Sequence, residues 1–149
     1  MEVMVACLII SLTTIALMSA TANGIKLSDT ALRQVQASSL MEEGVEAVKS
    51  IRDTSWATIS TLSLDTTYYL SFDINTNTWS LGTDPTAVID EMFTRTVIIS
   101  AVSRDENDDI ASSGTVDEGT KKVDVSVSWL YAGETNSKNI SFYLADIFN

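Results

Sequence analysis

Uncharged residues occupy every position from Val3 to Ile25, and most of the first twenty of them are Val, Met, Ala, Leu or Ile. About 20 apolar residues are enough for a helix to cross the hydrocarbon core of a membrane. Five Ser and Thr residues interrupt the stretch, but their hydroxyls can bond to carbonyls of the preceding helical turn. The pattern therefore predicts a helix of membrane-spanning length.

Beyond Gly24 the apolar residues become a stripe with three- and four-residue spacing, which is typical of an amphipathic helix with one buried face. The stripe consists of Ala37, Leu40, Met41, Gly44, Val45, Val48 and Ile51. Three opposite-charge pairs at helical spacing support it, namely Asp29–Arg33, Glu46–Lys49 and Lys49–Asp53. We expect one helix, or two in register, of about 50 residues and roughly 75–80 Å. Asn23 and Gly24 lower helix propensity and form its expected flexible point.

From Trp56 onward short runs rich in β-branched and aromatic residues alternate with turn residues, which indicates strands joined by hairpins. The expected strands are 68–72, 78–81, 93–102, 122–131 and 139–143, and residues 132–136 are expected to form the last turn. An antiparallel sheet with one solvated face needs a partner for its other face. We therefore predict an α+β fold, in which a long N-terminal helix packs on an antiparallel sheet of four to five strands. The expected regions are a hydrophobic helix over 1–25, an amphipathic helix over 26–55 and a β-rich head over 56–149.

The amino-acid composition disfavours several classes of function for this chain. The 149 residues carry a formal charge of −11, which disfavours direct electrostatic binding of nucleic acid. The absence of His excludes most catalytic triads and most zinc sites, and a single Cys cannot form an internal disulfide. Cys7 lies in the apolar stretch, where a thiol behaves as a small hydrophobic residue. We expect no enzymatic activity and no cofactor, with calcium as the one candidate ion.

The calcium hypothesis depends on oxygen-bearing side chains at alternate positions. Asp105, Asn107 and Asp109 begin like a calcium-binding loop, and Asp117 follows a short distance away. Ile110 stands where such a loop needs glycine, so a solvated acidic loop is the alternative interpretation. The series Asp73, Asn75 and Asn77 is a second, weaker match of the same kind.

A signal peptide is an alternative for the first segment, because residues 19–22 resemble a small-residue cleavage site. Signal peptides begin with positive charge, however, and this chain begins with Glu2. A carboxylate at the end of a membrane-length helix is costly in lipid unless it is paired, which makes Glu2 a candidate functional residue. Its structural alternative is the ordinary preference of helix N-termini for acidic side chains.

The combination of residues 1–6, Met-Glu-Val-Met-Val-Ala, with a long apolar run, an amphipathic extension and a sheet resembles the type IV pilins and pseudopilins, particularly those with a class III leader. Residues 40–46 and 51–56 are similar to the end of the helix in many bacterial prepilin-like sequences. The resemblance covers residues 1–56 specifically and only the architecture beyond them. In that family the acidic residue lies further from the mature N-terminus, so we expect a leader and a few mature residues before Met1. The family often has a proline near the middle of the helix, where this chain has Asn23-Gly24.

The resemblance implies a structural subunit of a helical filament that serves adhesion, motility or related functions. Glu2 would pair with the N-terminal amine of a neighbouring subunit. The residues implied to pack in the filament core are Val3, Val5, Leu8, Ile9, Leu12, Ile15 and Ala16. It also implies a prepilin peptidase that cleaves the leader and methylates the new N-terminus, an assembly ATPase and an inner-membrane platform as partners. The subunit would reside in the inner membrane before it joins an extracellular pilus.

Two alternatives remain open. Within the family, the chain would be a pseudopilin or minor pilin of a type II secretion or DNA-uptake system. Outside it, the chain would be a monomeric membrane-anchored extracytoplasmic domain that binds calcium or another ligand.

Overall fold

The computed structural model describes residues 1–85 and 88–147 and contains the predicted long helix and antiparallel sheet. Helix α1 spans Glu2–Thr54, and the short helix α2 spans Trp56–Ser60. The strands are β1 Thr67–Asp73, β2 Thr78–Gly82, β3 Val88–Ile89, β4 Phe93–Arg104, β5 Ile110–Ala111, β6 Thr115–Tyr131 and β7 Glu134–Ala145. The α+β prediction is therefore confirmed.

All strand pairs in the sheet are antiparallel, and the five longer strands follow the order β2-β1-β4-β6-β7. The short strands β3 and β5 pair with β4. Strands β4 and β6 alternate buried and half-buried positions along most of their paired length, as expected when one face is covered.

The chain forms two units, residues 1–36 and residues 37–149. We call the first the apolar helix unit and the second the head. This boundary lies inside α1. The divisions that the sequence predicts at residues 25 and 55 stay predictions.

The core of the head lies between the last turns of α1 and the sheet. Ala47, Val48 and Ile51 of the helix join a buried cluster with Tyr68, Leu70, Val97, Ile99, Val123, Val125 and Leu144. A second cluster contains Ala37, Phe93, Val127 and Trp129. In it the ring centroids of Phe93 and Trp129 are 5.9 Å apart. The predicted stripe is the face that packs here, because Ala37, Gly44, Val48 and Ile51 are buried and its other members are half-buried.

Several boundaries differ from the prediction. Trp56–Ser60 is helical although β structure was expected from Trp56 onward. Strand β7 begins at Glu134, because Ala132 and Gly133 alone make the turn, both with positive φ. Two residues with positive φ form the tight hairpin turn whose twist matches the flanking strands.

Strand β6 was expected to begin at Lys122 but begins at Thr115, and β4 extends two residues further, to Arg104. The pairing of these strands continues past an irregularity between Ala101 and Val102, where the register shifts. A shift of this kind interrupts the alternation of apolar and polar residues on which the prediction depended.

Of the three predicted ion pairs on α1, two are present. Asp29 pairs with Arg33, and Glu46 pairs with Lys49. Asp53 is bound by the adjacent Arg52 at 2.7 Å instead of by Lys49.

Candidate assembly helix and acidic loop

The first 28 residues of the chain are exposed throughout. An 18-residue window of α1 has a mean hydropathy of 2.3, and none of that window is buried. By length and composition α1 could cross a membrane. Water does not favour so large an apolar surface, and surfaces of this kind mark contacts with lipid or protein.

Four of the five hydroxyl groups within this segment, those of Ser11, Thr13, Thr14 and Thr21, bond to carbonyls of the helix itself. Ser11 donates to the carbonyl of Cys7 at 2.8 Å, Thr14 donates to Ile10 at 2.8 Å, and Thr21 donates to Leu17 at 2.9 Å. Each bond satisfies a polar group without help from water, which is what a hydrocarbon environment requires. The predicted bonding of these side chains to the preceding turn is confirmed.

Glu2 is the first helical residue of α1 and is exposed. The residues predicted to pack in a filament core follow it and are exposed as well; they are Val3, Val5, Leu8, Ile9, Leu12, Ile15 and Ala16. The assembly roles of Glu2 and of these residues stay predictions.

The helix continues through Asn23 and Gly24 without interruption. A Cβ added at Gly24 would have no atom within 4 Å apart from its helix and its chain neighbours. Within the described part of the chain no packing contact requires a glycine at position 24, and the effect of Gly24 is to lower the helix propensity of this turn.

Arg95 is a charged residue in the core of the head. It occupies an inward position of β4, is 4% exposed, and donates from Nη1 to the carbonyl of Leu40 at 3.0 Å. The same nitrogen is 3.3 Å from a carboxylate oxygen of Glu43, and the guanidinium lies 5.3 Å from the ring centroid of Trp79. Among residues 1–85 and 88–147, its Nε has no hydrogen-bond partner. Arg95 thus connects α1 to β4 and β2 by a carbonyl, a carboxylate and an aromatic face.

Gly44 makes room for this arginine. A Cβ at Gly44 would lie 2.9 Å from Cδ of Arg95 and 2.9 Å from Cγ1 of Val125, closer than real Cβ contacts. The sequence placed Gly44 on the buried stripe but did not reveal the arginine. The signal was present, because Arg95 alternates with Phe93, Val97 and Ile99 and so belongs to the inward face of the strand.

The predicted calcium residues lie around the loop between β4 and β5. Asp105 closes the loop on itself: its Oδ1 accepts from the backbone N–H groups of Asn107 at 2.8 Å and Asp109 at 3.1 Å. Asp105 and Asp117 line the same open groove, next to Arg104.

The carboxylate of Asp117 binds a basic side chain of the same molecule. Arg104 donates from Nε to Oδ2 of Asp117 at 2.7 Å, and the N–H of Gly119 donates to Oδ1 at 2.9 Å. The hydrogen bond from Arg104, followed by one from Thr120, lowers the pKa of Asp117 below its usual 3.8. The same hydrogen bond with Asp117 raises the pKa of Arg104 above its usual value.

Within residues 1–85 and 88–147, no three acidic or sulfur-bearing side chains form a group able to hold a metal ion. The calcium hypothesis stays a prediction to which this arrangement adds nothing. In the second series, Asp73, Asn75 and Asn77, the first carboxylate also binds within its own turn: Oδ1 of Asp73 accepts from the N–H of Asn75 at 2.8 Å. Hydrogen bonds from Asn75 and Thr76 lower the pKa of Asp73.

No protein-family model, curated protein or solved structure matches this chain. The long apolar helix followed by an antiparallel sheet is compatible with a pilin-like architecture, and that is the extent of what the fold itself supports.

Proposed function

We propose that this chain is a structural subunit of a type IV pilus-like filament, and that it assembles through the apolar helix unit. The observation that carries the proposal is the complete exposure of a membrane-length apolar helix joined to a folded head. Such a surface is stable in lipid before assembly, and it is equally stable against the same surface of other subunits. One repeated contact that does not close on itself generates a filament.

Glu2 gives the proposed contact its specificity. A carboxylate held among apolar helices needs a cation, and removal of one partner from a buried pair costs about 3–5 kcal/mol. A subunit that places Glu2 away from a cation is therefore rejected. The resemblance to pilins supports this role and supplies the N-terminal amine of a neighbour as the expected partner.

The head suits an exposed position on such a filament. It carries eighteen acidic and seven basic residues, so a filament would present a strongly negative surface. Like charge keeps exposed heads soluble and disfavours capture of nucleic acid.

The test is negative-stain electron microscopy of material sheared from cells that produce the chain. We expect fibres with the wild-type chain and a sharp loss of fibres with Glu2→Ala. The matched control is Glu42→Ala, which removes an exposed carboxylate from the head portion of α1 and should leave fibres unchanged.

A detergent-soluble monomer with no fibres would overturn the proposal in favour of a membrane-anchored extracytoplasmic domain. Normal fibres from Glu2→Ala would remove the proposed role of Glu2. The fluorescence of Trp56, Trp79 and Trp129, all in the head, shows whether each variant remains folded.

A further inference from the structure

Strand β7 forms one edge of the sheet in the head. Within residues 1–85 and 88–147 it pairs only with β6. The opposite edge strand, β2, has five residues, whereas β7 has twelve. A long edge strand presents a row of unpaired backbone groups, and proteins usually blunt such an edge with a short strand, a proline, a bulge or charged side chains.

The β6–β7 hairpin determines which backbone groups of β7 face outward. Tyr131 and Glu134 close its two-residue turn, so their backbone groups bond to each other, and bonded pairs recur at every second residue from there. The N–H of Asp146 donates to the carbonyl of Gly119 at 2.9 Å in the same phase of the ladder. The N–H and C=O groups of the odd-numbered residues from 135 to 145 therefore point away from β6.

The second half of β7 has none of the usual protective features. Residues 139–145 contain no charged residue and no proline, and their pairing with β6 continues without a shift of register. The ammonium of Lys138 is bonded to the hydroxyl of Ser38 on α1 at 2.7 Å. Ile140 is 38% exposed and Tyr143 is 53% exposed. Uncharged segments of this length that are rich in β-branched and aromatic residues pair readily with another strand.

This segment complements itself when two copies run antiparallel with Phe142 opposite Phe142. Ile140 then lies opposite Leu144, on the face of the sheet that α1 covers. Lys138 lies opposite Asp146, which adds an opposite-charge pair at each end of the contact. Odd-numbered residues meet odd-numbered residues in this register, so their outward backbone groups bond across the contact.

We propose that β7 pairs antiparallel with β7 of a second copy of this chain over residues 138–146, and that the two heads then share one continuous sheet. The contact is isologous, so it closes on itself and links copies in pairs. Its two-fold axis is perpendicular to the sheet and reverses the turns of α1 that pack there. Neighbours within one filament share one helix direction and do not make this contact. At the level of the filament, which rests on the proposed function, the contact joins two filaments that run in opposite directions.

Sedimentation equilibrium of the full chain in mild detergent measures the pair without requiring filaments. We expect the wild-type mass to rise toward that of a dimer as the protein concentration increases. Ser141→Pro removes an outward N–H at a position where an edge strand tolerates proline. Each pair then loses two backbone hydrogen bonds, so the dissociation constant should rise at least about tenfold.

Thr135→Pro is the matched control, because it changes the same edge outside residues 138–146 and should leave the dimer intact. Tryptophan fluorescence shows whether both variants remain folded. A wild-type chain that stays monomeric, or equal dissociation constants for the two proline variants, would overturn the inference.

Disulfide cross-linking determines the register. In a Cys7→Ala background, preparations of Ser141→Cys and Tyr143→Cys that differ in size by a tag are mixed and oxidised in detergent. Opposite residues of a bonded antiparallel pair have Cα atoms about 5.5 Å apart, which suits a disulfide. We expect the mixed dimer to exceed either homodimer. Homodimers in equal amount, or no cross-link, would contradict the proposed pairing.

Negative-stain images separate this contact from the proposed function. We expect paired or bundled fibres from the wild-type chain and single fibres from Ser141→Pro. Bundles that persist in Ser141→Pro would refute the β7 contact and leave the filament proposal standing. A dimer in detergent without any fibres would refute the filament proposal and leave the β7 contact standing.

Discussion

The apolar helix unit and the head use the same kinds of residue in opposite ways. Ile9 in the first is 55% exposed, whereas Ile99 in the second is fully buried. The head buries a hydrophobic core within one molecule, whereas the apolar side chains of the helix unit stay exposed. The stability of the head and the proposed assembly would therefore depend on different parts of the chain.

The two regions also differ in charge. The apolar helix unit is balanced, with two residues of each sign, whereas acidic residues outnumber basic ones by more than two to one in the head. The head tolerates this excess because its acidic side chains are spread over solvated loops and strands. A helix in a low-dielectric environment has no such option, so every charge on it needs a specific partner.

Truncation of one isoleucine in each region gives the largest expected contrast. Ile99→Ala should lower the free energy of unfolding of the head by about 2–5 kcal/mol, because it opens a cavity in a fully buried site. Ile9→Ala should leave head stability unchanged. Urea unfolding of the full chain in detergent, followed by tryptophan fluorescence, measures both; equal effects would contradict the separation of roles.

Removal of the carboxylate beside the buried Arg95 should lower the free energy of unfolding more than removal of the Arg95 charge itself. Glu43→Ala leaves the guanidinium buried without a carboxylate and should cost about 1–3 kcal/mol, less than for a fully buried pair because Glu43 is half-exposed. Arg95→Met removes the buried charge and keeps much of the volume, so it should be closer to neutral. The same unfolding assay compares them, and a costlier Arg95→Met would show that the contacts with Leu40 and Trp79 dominate.

The two glycines of α1 offer a matched pair of substitutions. Gly44→Ala places a Cβ 2.9 Å from Arg95 and Val125, which should cost about 1–3 kcal/mol, partly offset by about 1 kcal/mol of helix propensity. Gly24→Ala gains the propensity without a clash. We expect a lower denaturation midpoint for the head in the first variant and greater helicity in the second, measured by circular dichroism. A stabilised Gly44→Ala head would mean that Arg95 moves aside at little cost.

Acid should weaken the head slightly. Hydrogen bonds lower the folded-state pKa values of Asp117 and Asp73 below their usual 3.8, so the folded state favours their ionised forms. That stabilisation is fully present above about pH 4 and is lost as the pH falls through the lowered pKa values. Thermal melts from pH 6 to pH 2 should show a smaller acid-induced decrease for Asp117→Asn than for the wild type. An identical profile would mean that the bond from Arg104 contributes nothing to stability.

The sequence was informative wherever a regular pattern decided the structure. The apolar run and the stripe that follows it predicted α1, and the alternation Val123, Val125, Val127 and Trp129 predicted the inward face of β6. These features depend on burial periodicity, which local sequence carries directly.

The sequence was less informative where contacts between distant residues decide the structure. Arg104 binds Asp117 across 13 residues of chain, and Arg95 binds Leu40 and Glu43 across 52 or more, so no local pattern revealed those bonds. Asp117 is a candidate calcium ligand in the sequence because its spacing from Asp105 is visible there, whereas its bond with Arg104 is not. The assembly residues are a separate case, because their contacts would involve a second molecule.

The uninterrupted backbone of α1 has a mechanical consequence. If the helix is pulled along its axis, its least stable turn should unwind first, and Gly24 places that turn outside any side-chain packing. Each residue that changes from helix to extended chain adds about 2 Å of length. Unwinding of six residues would lengthen the molecule by roughly 12 Å while the sheet keeps its shape, which would give the chain a capacity to stretch under load.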